Sequence, residues 1–190
     1  MKQRILLIDN YDSFTYNLYH ALHTLNGHTP EVKRNDELEI DGLHTYDAIV
    51  LSPGPGLPHE AGMLMQAIET CWDNSKMLGV CLGHQALALH SGAKLKQLPE
   101  PYHGVSREGF ISDHSDIYNK IQSPFEAGSY HSWTIETTTL PSCWNVNALD
   151  KSCEILSMQH KSKPITGIQY HPESVLTPIG YAILENWLRM

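Results

Sequence analysis

The 190-residue sequence predicts an α/β fold, an open, doubly wound and mainly parallel sheet with some antiparallel strands. Strand and helix signals alternate through the first half of the chain, which is typical of parallel sheets. Cys81 lies at a sharp turn between a strand pattern and a helix pattern, and short strands separated by Pro, Gly and Asn turns fill residues 94–170. An amphipathic helix over residues 179–190 closes the chain. At this length we expect residues 1–190 to form a single domain.

The elements of the first half follow from hydrophobic periodicity. Residues 5–9 are apolar and β-branched at their start, which predicts a strand. Residues 13–26 repeat apolar side chains at helical spacing, and Gly27 follows as a stop signal. Residues 47–51 predict the next strand, and residues 63–72 predict the helix after it.

The turn at Cys81 is the most informative part of the chain. Residues 77–80 predict a short buried strand and residues 83–90 a helix, while Gly79 and Gly83 leave the backbone room at the turn. A nucleophile on such a strained turn is lifted above the sheet. The N-terminus of the following helix favours thiolate over thiol. The alternative is a buried and inert cysteine, which is the commoner kind.

A candidate base for Cys81 lies near the C-terminus, in the sequence Gln-Tyr-His-Pro-Glu-Ser. Pro172 pushes His171 into an extended conformation, and residues i and i+2 of an extended chain face the same side. We therefore expect the carboxylate of Glu173 to orient the imidazole of His171. Both follow a predicted strand at residues 165–170, at the kind of strand end where α/β proteins bind ligands.

A Ser-Pro-Gly-Pro-Gly turn follows the strand predicted at residues 47–51. Such a turn is stiff, and its glycines allow a substrate to approach the backbone closely. Pro55 has no N–H, so Gly54 is the natural donor in this turn. We expect the N–H groups of Gly54 and Leu82, the latter next to the candidate nucleophile, to form an oxyanion hole.

These three segments together resemble the class I glutamine amidotransferases, a family with a Cys-His-Glu triad on an open α/β fold. The resemblance covers essentially the whole chain. Residues 9–17 are similar to the opening of one branch, the glutaminase subunits of anthranilate synthase and 4-amino-4-deoxychorismate synthase. His-Gly at residues 103–104 and Tyr-His-Ser at residues 130–132 support this branch, while Trp133 stands where the branch usually carries Leu.

The resemblance implies a glutaminase that hydrolyses glutamine to glutamate and ammonia. It implies Cys81 as the nucleophile, His171 as the general acid and base, and Glu173 as the residue that orients the imidazole. The residues implied to contact glutamine or the oxyanion are Gly54, Pro55, Gly56, Leu82, Gln85, Ser132 and Trp133. No metal and no cofactor is expected on this chain, and magnesium is expected only on the partner synthase.

The resemblance also implies a partner, because the sequence carries no nucleotide-binding motif and no acceptor site of its own. The partner would be a chorismate-using synthase subunit (component I) that uses the ammonia to make anthranilate for tryptophan biosynthesis. The same role in aminodeoxychorismate synthesis, for folate, or service to both synthases, stays open. Residues 9–17 lie near the synthase contact in the family, and Asp12 and Ser13 are also candidate helix N-caps.

Composition excludes several other classes of function. A net charge of −8 without a basic run argues against nucleic acid or an anionic membrane as partner. No apolar stretch approaches the length of a transmembrane helix, and we expect a cytoplasmic protein. The remaining cysteines, Cys71, Cys143 and Cys153, form no CxxC pair and are expected to be packing residues.

Two other classes of function remain as alternatives. A free-standing cysteine hydrolase of γ-glutamyl or peptide bonds would use the same three catalytic residues without a partner. A non-catalytic regulatory subunit would lack one of them, and none is missing from the sequence.

Overall fold

The strands and helices are those of a computed structural model that describes residues 2–113 and 115–190. In chain order the strands are β1 (Ile5–Asp9), β2 (Glu31–Arg34), β3 (Ala48–Leu51), β4 (Lys76–Val80), β5 (Leu95–Gln97), β6 (Val105–Ile111), β7 (Phe125–Ser129), β8 (Trp133–Ile135), β9 (Trp144–Asp150), β10 (Ile155–His160) and β11 (Ile165–Ile168). The helices are α1 (Thr15–Asn26), α2 (Leu64–Cys71), α3 (Leu82–His90) and α4 (Gly180–Arg189).

One large sheet has a parallel half and an antiparallel half. Within the described residues its nine strands run in the order β2-β1-β3-β4-β11-β10-β9-β6-β7. The pairs from β2 to β11 are parallel, and those from β11 to β7 are antiparallel. Strands β5 and β8 form a separate antiparallel ribbon. The α/β fold predicted from the sequence is therefore confirmed.

Helices cover both faces of the parallel half. Successive side chains of a strand point to opposite faces, so Leu6 and Ile8 of β1 pack in the core under α2 and α3. Ile5 and Leu7 pack in the second core, under α1 and α4. Burial on both faces explains why these central strands read as apolar runs rather than as alternating patterns. No helix in the described ranges has the length and apolar character needed to cross a membrane.

The start of α1 differs from the sequence prediction. The helix begins at Thr15, with Phe14 at the N-cap position, rather than at Ser13. The carboxylate of Asp12 accepts the N–H of Phe14 at 2.8 Å. This is an Asx-type turn, so Asp12 shapes the chain before the helix and the predicted capping role of Asp12 or Ser13 is wrong.

Two further features depart from the prediction. Strand β2 has no counterpart in the sequence patterns because its Glu-Val-Lys-Arg stretch carries a single apolar residue. It lies at the edge of the sheet, where charged side chains discourage pairing with other chains. Cys71 is buried and Cys143 packs against the core, as expected, but Cys153 is exposed in the turn between β9 and β10.

Candidate active site

Cys81 lies on the turn between β4 and α3 in a strained backbone conformation. Its φ is 52° and its ψ −100°, values that residues other than glycine rarely adopt. Its N–H donates to the carbonyl of Ile168 at 2.9 Å, which ties the turn to β11. A Cβ on Gly79 would approach the Gly83 carbonyl to 2.5 Å, and one on Gly83 would approach the Leu51 carbonyl to 2.5 Å. Both glycines are therefore needed for α3 to begin this close to the sheet.

His171 and Glu173 meet across a tight turn. The Nδ1–H of His171 donates to Oε1 of Glu173 at 2.7 Å, and both side chains are buried. The N–H of Ser174 donates to the His171 carbonyl at 3.2 Å, so Pro172 and Glu173 are the central residues of a β-turn, with proline at its favoured position. The predicted His–Glu contact is present, but the extended run predicted for residues 171–173 is wrong.

The imidazole of His171 is electrostatically coupled to Cys81. Burial lowers the pKa of His171, but the thiolate of Cys81 and the carboxylate of Glu173 outweigh it and raise that pKa to about 10. Nε2 of His171 makes no hydrogen bond of ordinary geometry within the described residues. Catalytic hydrogen bonds are often long or poorly aligned in sites without substrate. The raised pKa favours the imidazolium form of His171 at neutral pH.

A cavity of about 200 Å³ opens beside Cys81. Every residue predicted to contact glutamine or the oxyanion lines this cavity, namely Gly54, Pro55, Gly56, Leu82, Gln85, Ser132 and Trp133. A larger cleft of about 690 Å³ lies at the amino-terminal ends of β1 and β3, beside Gln3 and Asp47, and its described lining includes neither cysteine nor histidine. The candidate nucleophile Cys81 therefore lies at the smaller cavity.

Buried polar groups hold the Ser-Pro-Gly-Pro-Gly turn at the carboxyl ends of β1 and β3. The hydroxyl of Ser52 accepts the N–H of Asn10 at 2.8 Å, and Nδ2 of Asn10 donates to the Ser52 carbonyl at 2.9 Å. Nδ2 of Asn35 donates to Oδ1 of Asn10 at 3.1 Å. A Cβ on Gly54 would lie 2.6 Å from Cβ of Asn10 and 2.8 Å from Cδ2 of Leu82. Asn10, which the motifs did not single out, thus fixes the position of the turn.

His131 lines the cavity together with Ser132 and Trp133, on the wall opposite the Ser-Pro-Gly-Pro-Gly turn. Burial, and then the charge of Arg107, lower the pKa of His131 to about 4, so its ring is neutral. Its Nδ1–H donates to the Trp133 carbonyl at 2.9 Å, and its Nε2 faces Nη1 of Arg107 at 3.4 Å. Arg107 is in turn paired with the buried carboxylates of Asp150 and Glu154. A buried ion network therefore fixes the tautomer of His131.

The backbone carbonyls of this wall already have donors. The carbonyl of Trp133 accepts Nε2 of Gln85 at 2.7 Å as well as the His131 ring. The carbonyl of Ser132 accepts the N–H of Leu98 at 2.8 Å. These contacts hold residues 132–133, at the start of β8, against α3 and against the residue that follows β5.

Three residues that the sequence motifs did not single out surround His171. The hydroxyl of Thr177 donates to the His171 carbonyl at 2.7 Å and accepts the N–H of Gly128 at 2.9 Å. The rings of Tyr130 and Phe14 pack on the imidazole, with centroid distances of 4.8 Å and 5.6 Å. Phe14 and Tyr130 lie within segments that resemble the family, but no role was assigned to either of them, and Thr177 lies outside those segments. Their contacts with His171 form only when distant parts of the chain come together.

Comparison with known proteins identifies the family. Residues 6–190 match the family model described as Glutamine amidotransferase class-I. The chain belongs to the class-I glutamine amidotransferases. The family resemblance drawn from the motifs is therefore confirmed, and the chain is an amidotransferase by class.

Relatives of this amidotransferase cover nearly its full length. It is 40% identical over 186 residues to the Aminodeoxychorismate/anthranilate synthase component 2 of Bacillus subtilis, which is 97% of this chain and 95% of that protein. It is 41% identical over 190 residues to the Anthranilate synthase component 2 of Mycobacterium tuberculosis, covering 97% of this chain and 81% of that protein.

A solved structure shares the fold of the amidotransferase. The crystal structure of a putative GMP synthase subunit from Thermoplasma acidophilum superposes with a TM-score of 0.89 at 25% identity. The alignment covers 100% of this chain and 94% of that one. The individual roles of Cys81, His171 and Glu173 in this amidotransferase stay predictions.

Proposed function

We propose that this chain is a glutaminase subunit that hydrolyses glutamine and passes the ammonia to a chorismate-using synthase that makes anthranilate. The observation that carries the proposal is the pairing of Cys81, on its strained turn, with a buried His171 of raised pKa. The cavity beside them is lined by the residues predicted to contact glutamine. The component 2 names of the relatives from Bacillus subtilis and Mycobacterium tuberculosis support a separate synthase partner.

The first half of the proposed reaction forms a thioester. The thiolate of Cys81 attacks the side-chain amide carbon of glutamine, and the N–H groups of Gly54 and Leu82 hold the resulting oxyanion. The imidazolium of His171 gives its proton to the departing nitrogen as the C–N bond breaks, which releases ammonia. Glu173 keeps the imidazole oriented through the bond to Nδ1.

The second half regenerates the enzyme with the same groups. Neutral His171 takes a proton from water, which attacks the thioester carbon and breaks the C–S bond. Glutamate leaves, and the thiolate of Cys81 and the imidazolium of His171 are restored. All the proposed steps use side chains and backbone groups of this chain.

A partner is proposed because free ammonia is protonated in water at neutral pH and is then no nucleophile. A synthase docked over the cavity would keep the ammonia dry. Ser13 is exposed in the middle of the segment 9–17, and the next residue, Phe14, contacts the His171 ring. A partner that binds at Ser13 is therefore one side chain away from the imidazole.

A second candidate is the same role in aminodeoxychorismate synthesis, or service to both synthases. The name of the Bacillus subtilis relative includes both products, and this observation favours the candidate. The partner synthase, rather than the glutaminase chemistry, would then decide which aromatic amine is made.

Reconstitution with each synthase tests the proposal. The chain alone should hydrolyse glutamine slowly, and an anthranilate synthase component I with chorismate and magnesium should stimulate it and yield anthranilate from glutamine. Cys81→Ser should abolish the glutamine-dependent synthesis while synthesis from added ammonia continues. A glutamine-like electrophile should label Cys81 and spare the other cysteines.

A matched pair of variants tests the docking position. Ser13→Trp should weaken the stimulation by the synthase more than it weakens basal hydrolysis. Thr24→Trp adds the same bulk at the exposed far end of α1 and should leave the stimulation unchanged. A chain already at full rate alone, and indifferent to both synthases, would instead be a free-standing hydrolase.

A further inference from the structure

The side chain of Gln169 lies against the sulfur of Cys81. Nε2 of Gln169 donates to Sγ of Cys81 at 3.6 Å, within the range of a hydrogen bond to sulfur. Gln169 directly follows β11 and is only 1% exposed. Its backbone N–H donates to the carbonyl of Leu156 at 2.8 Å, so β10 fixes the position of its main chain.

The orientation of the Gln169 amide is set by Gln85. Nε2 of Gln85 donates to Oε1 of Gln169 at 3.2 Å and to the Trp133 carbonyl at 2.7 Å. A carboxamide has an acceptor end and a donor end. Because the acceptor end of Gln169 faces the NH₂ group of Gln85, its donor end must face the sulfur of Cys81.

We propose that Gln169 is a catalytic residue that stabilises the thiolate of Cys81 by donating a hydrogen bond to it. This inference rests on the proposed function, in which that thiolate is the nucleophile. A donor aimed at an ionised group favours the ionised form, and it does so more strongly when the contact is buried. Cys81 is 5% exposed, so few water molecules could take over this task.

Two neighbouring groups stabilise negative charge on the sulfur of Cys81 in different ways. The imidazolium of His171 supplies charge, and the neutral amide of Gln169 supplies a directed dipole that stays in place after His171 has given up its proton. Gln169 thus helps the sulfur leave as a thiolate when the thioester is hydrolysed. Gln85 lines the cavity and donates a hydrogen bond to Gln169. A chain of hydrogen bonds therefore runs from the proposed glutamine site, through Gln85 and Gln169, to the sulfur of Cys81.

The pH profile of Cys81 alkylation tests this assignment in the full chain. Iodoacetamide reacts with the thiolate form, and peptide mass spectrometry isolates the rate at Cys81. Gln169→Leu should move the midpoint of the profile upward by about one pH unit, which is roughly tenfold less thiolate below the midpoint. Gln169→Glu has nearly the same size and should move the midpoint further, because a carboxylate then faces the sulfur.

A neighbouring variant controls for effects of core substitution. Thr166 is buried on β11, and its hydroxyl has no hydrogen-bond partner in the described part of the chain. Thr166→Val should leave the alkylation profile at its wild-type midpoint. Thermal unfolding of all the variants shows which of them fold. If Gln169→Leu does not fold, the near-isosteric Gln169→Glu carries the test of the midpoint.

An unchanged midpoint in the folded Gln169 variants would overturn the assignment. The proposed function is tested by a different measurement, the glutaminase activity of Cys81→Ser. If the proposed function were wrong, this variant would retain glutamine hydrolysis. A shifted midpoint in both Gln169 variants, with an unchanged midpoint in Thr166→Val, supports the assignment of Gln169. A purely structural role for Gln169 would lower the melting temperature without moving the midpoint.

Discussion

Gly180, the first residue of α4, packs directly on the carbonyl group of Pro172. A Cβ at position 180 would come within 1.8 Å of that carbonyl oxygen, far inside van der Waals contact. The N–H of Gly180 donates to the Thr177 carbonyl at 2.9 Å, so the chain from the His-Pro-Glu turn to α4 is a compact unit. The position of α4 and the geometry of the candidate base are therefore linked.

Gly180→Ala should separate Pro172 from α4 and displace the turn that carries His171. We expect a loss of stability of about 1–3 kcal/mol from overpacking, together with a fall in kcat of the folded enzyme. Gly42→Ala is the matched control, since a Cβ there would meet nothing closer than 4.0 Å. Urea unfolding and glutaminase assays measure both effects. An active Gly180→Ala enzyme with normal kcat would contradict the link.

His171→Asn should remove nearly all turnover, because general acid–base catalysis is typically worth about 10²–10⁴-fold. Glu173→Gln should retain more activity than His171→Asn, since the amide oxygen can still accept the Nδ1–H of His171. The pKa of His171 should be lower in Glu173→Gln than in the wild type, because one of the groups that raise it is gone. Turnover with saturating synthase and NMR titration measure these effects. Half of the wild-type turnover in His171→Asn would rule out its assigned role.

Asn10→Ala should loosen the Ser-Pro-Gly-Pro-Gly turn, because it removes the side-chain bonds to Ser52 and Asn35. We expect a loss of stability of about 1–3 kcal/mol from the groups left unpaired, and a fall in kcat because the Gly54 donor is displaced. Asn26→Ala is a matched control at the amino-terminal end of β1, where Asn26 makes two side-chain bonds to the backbone of Gln3. It should lose stability but keep kcat in the folded fraction. Equal kcat in the two variants would argue against Asn10 as a support of the turn.

The free energy of unfolding should fall as the pH drops from about 6.5 toward 4. Burial lowers the pKa of His84 to about 3, and burial with Arg107 lowers that of His131 to about 4. In the unfolded chain both have a pKa of about 6.5, so below that pH the unfolded state binds more protons and gains stability relative to the folded state.

His84→Met tests this acid sensitivity at a single site. It should reduce the slope of unfolding free energy against pH by up to about 1.4 kcal/mol per pH unit, which is the contribution of one proton. His20→Met, at an exposed position on α1, should keep the wild-type slope. Urea denaturation between pH 7.5 and 4.5 gives the slopes, and identical values for His84→Met and wild type would show that His84 is not a source of the effect.

Local patterns were enough to predict the parallel half of the fold except for its edge strand β2. Hydrophobic periodicity located β1, β3, β4 and the helices between them, because the apolar pattern of each element lies within a short stretch of sequence. The nucleophile turn was predictable for the same reason, since Gly79, Cys81 and Gly83 lie within five positions. The pairing of Cys81 with His171 was inferred from the His-Pro-Glu pattern after a predicted strand, together with the family resemblance, and not from periodicity.

The remaining features depend on contacts that a local pattern does not contain. The edge strand β2 takes its strand geometry from pairing with β1 rather than from its own polar residues. Gln169 faces Cys81 only because β11 lies beside β4, and Asn10 reaches Ser52 only because β1 lies beside β3. The Pro172 turn was mistaken for an extended run because proline is compatible with both.

The parallel pairing of β4 with β11 also orders events during synthesis of the protein. Val80 lies opposite Ile168, and Cys81 and Gln169 are 88 positions apart in the chain. Chains are made from the N-terminus, and such distant pairings form late and slowly. A nascent chain therefore exposes Cys81 long before its base has been translated. Until β11 docks, a half-made chain carries the candidate nucleophile without Gln169 and His171 beside it, and it therefore lacks the groups proposed to act with Cys81 in glutamine hydrolysis.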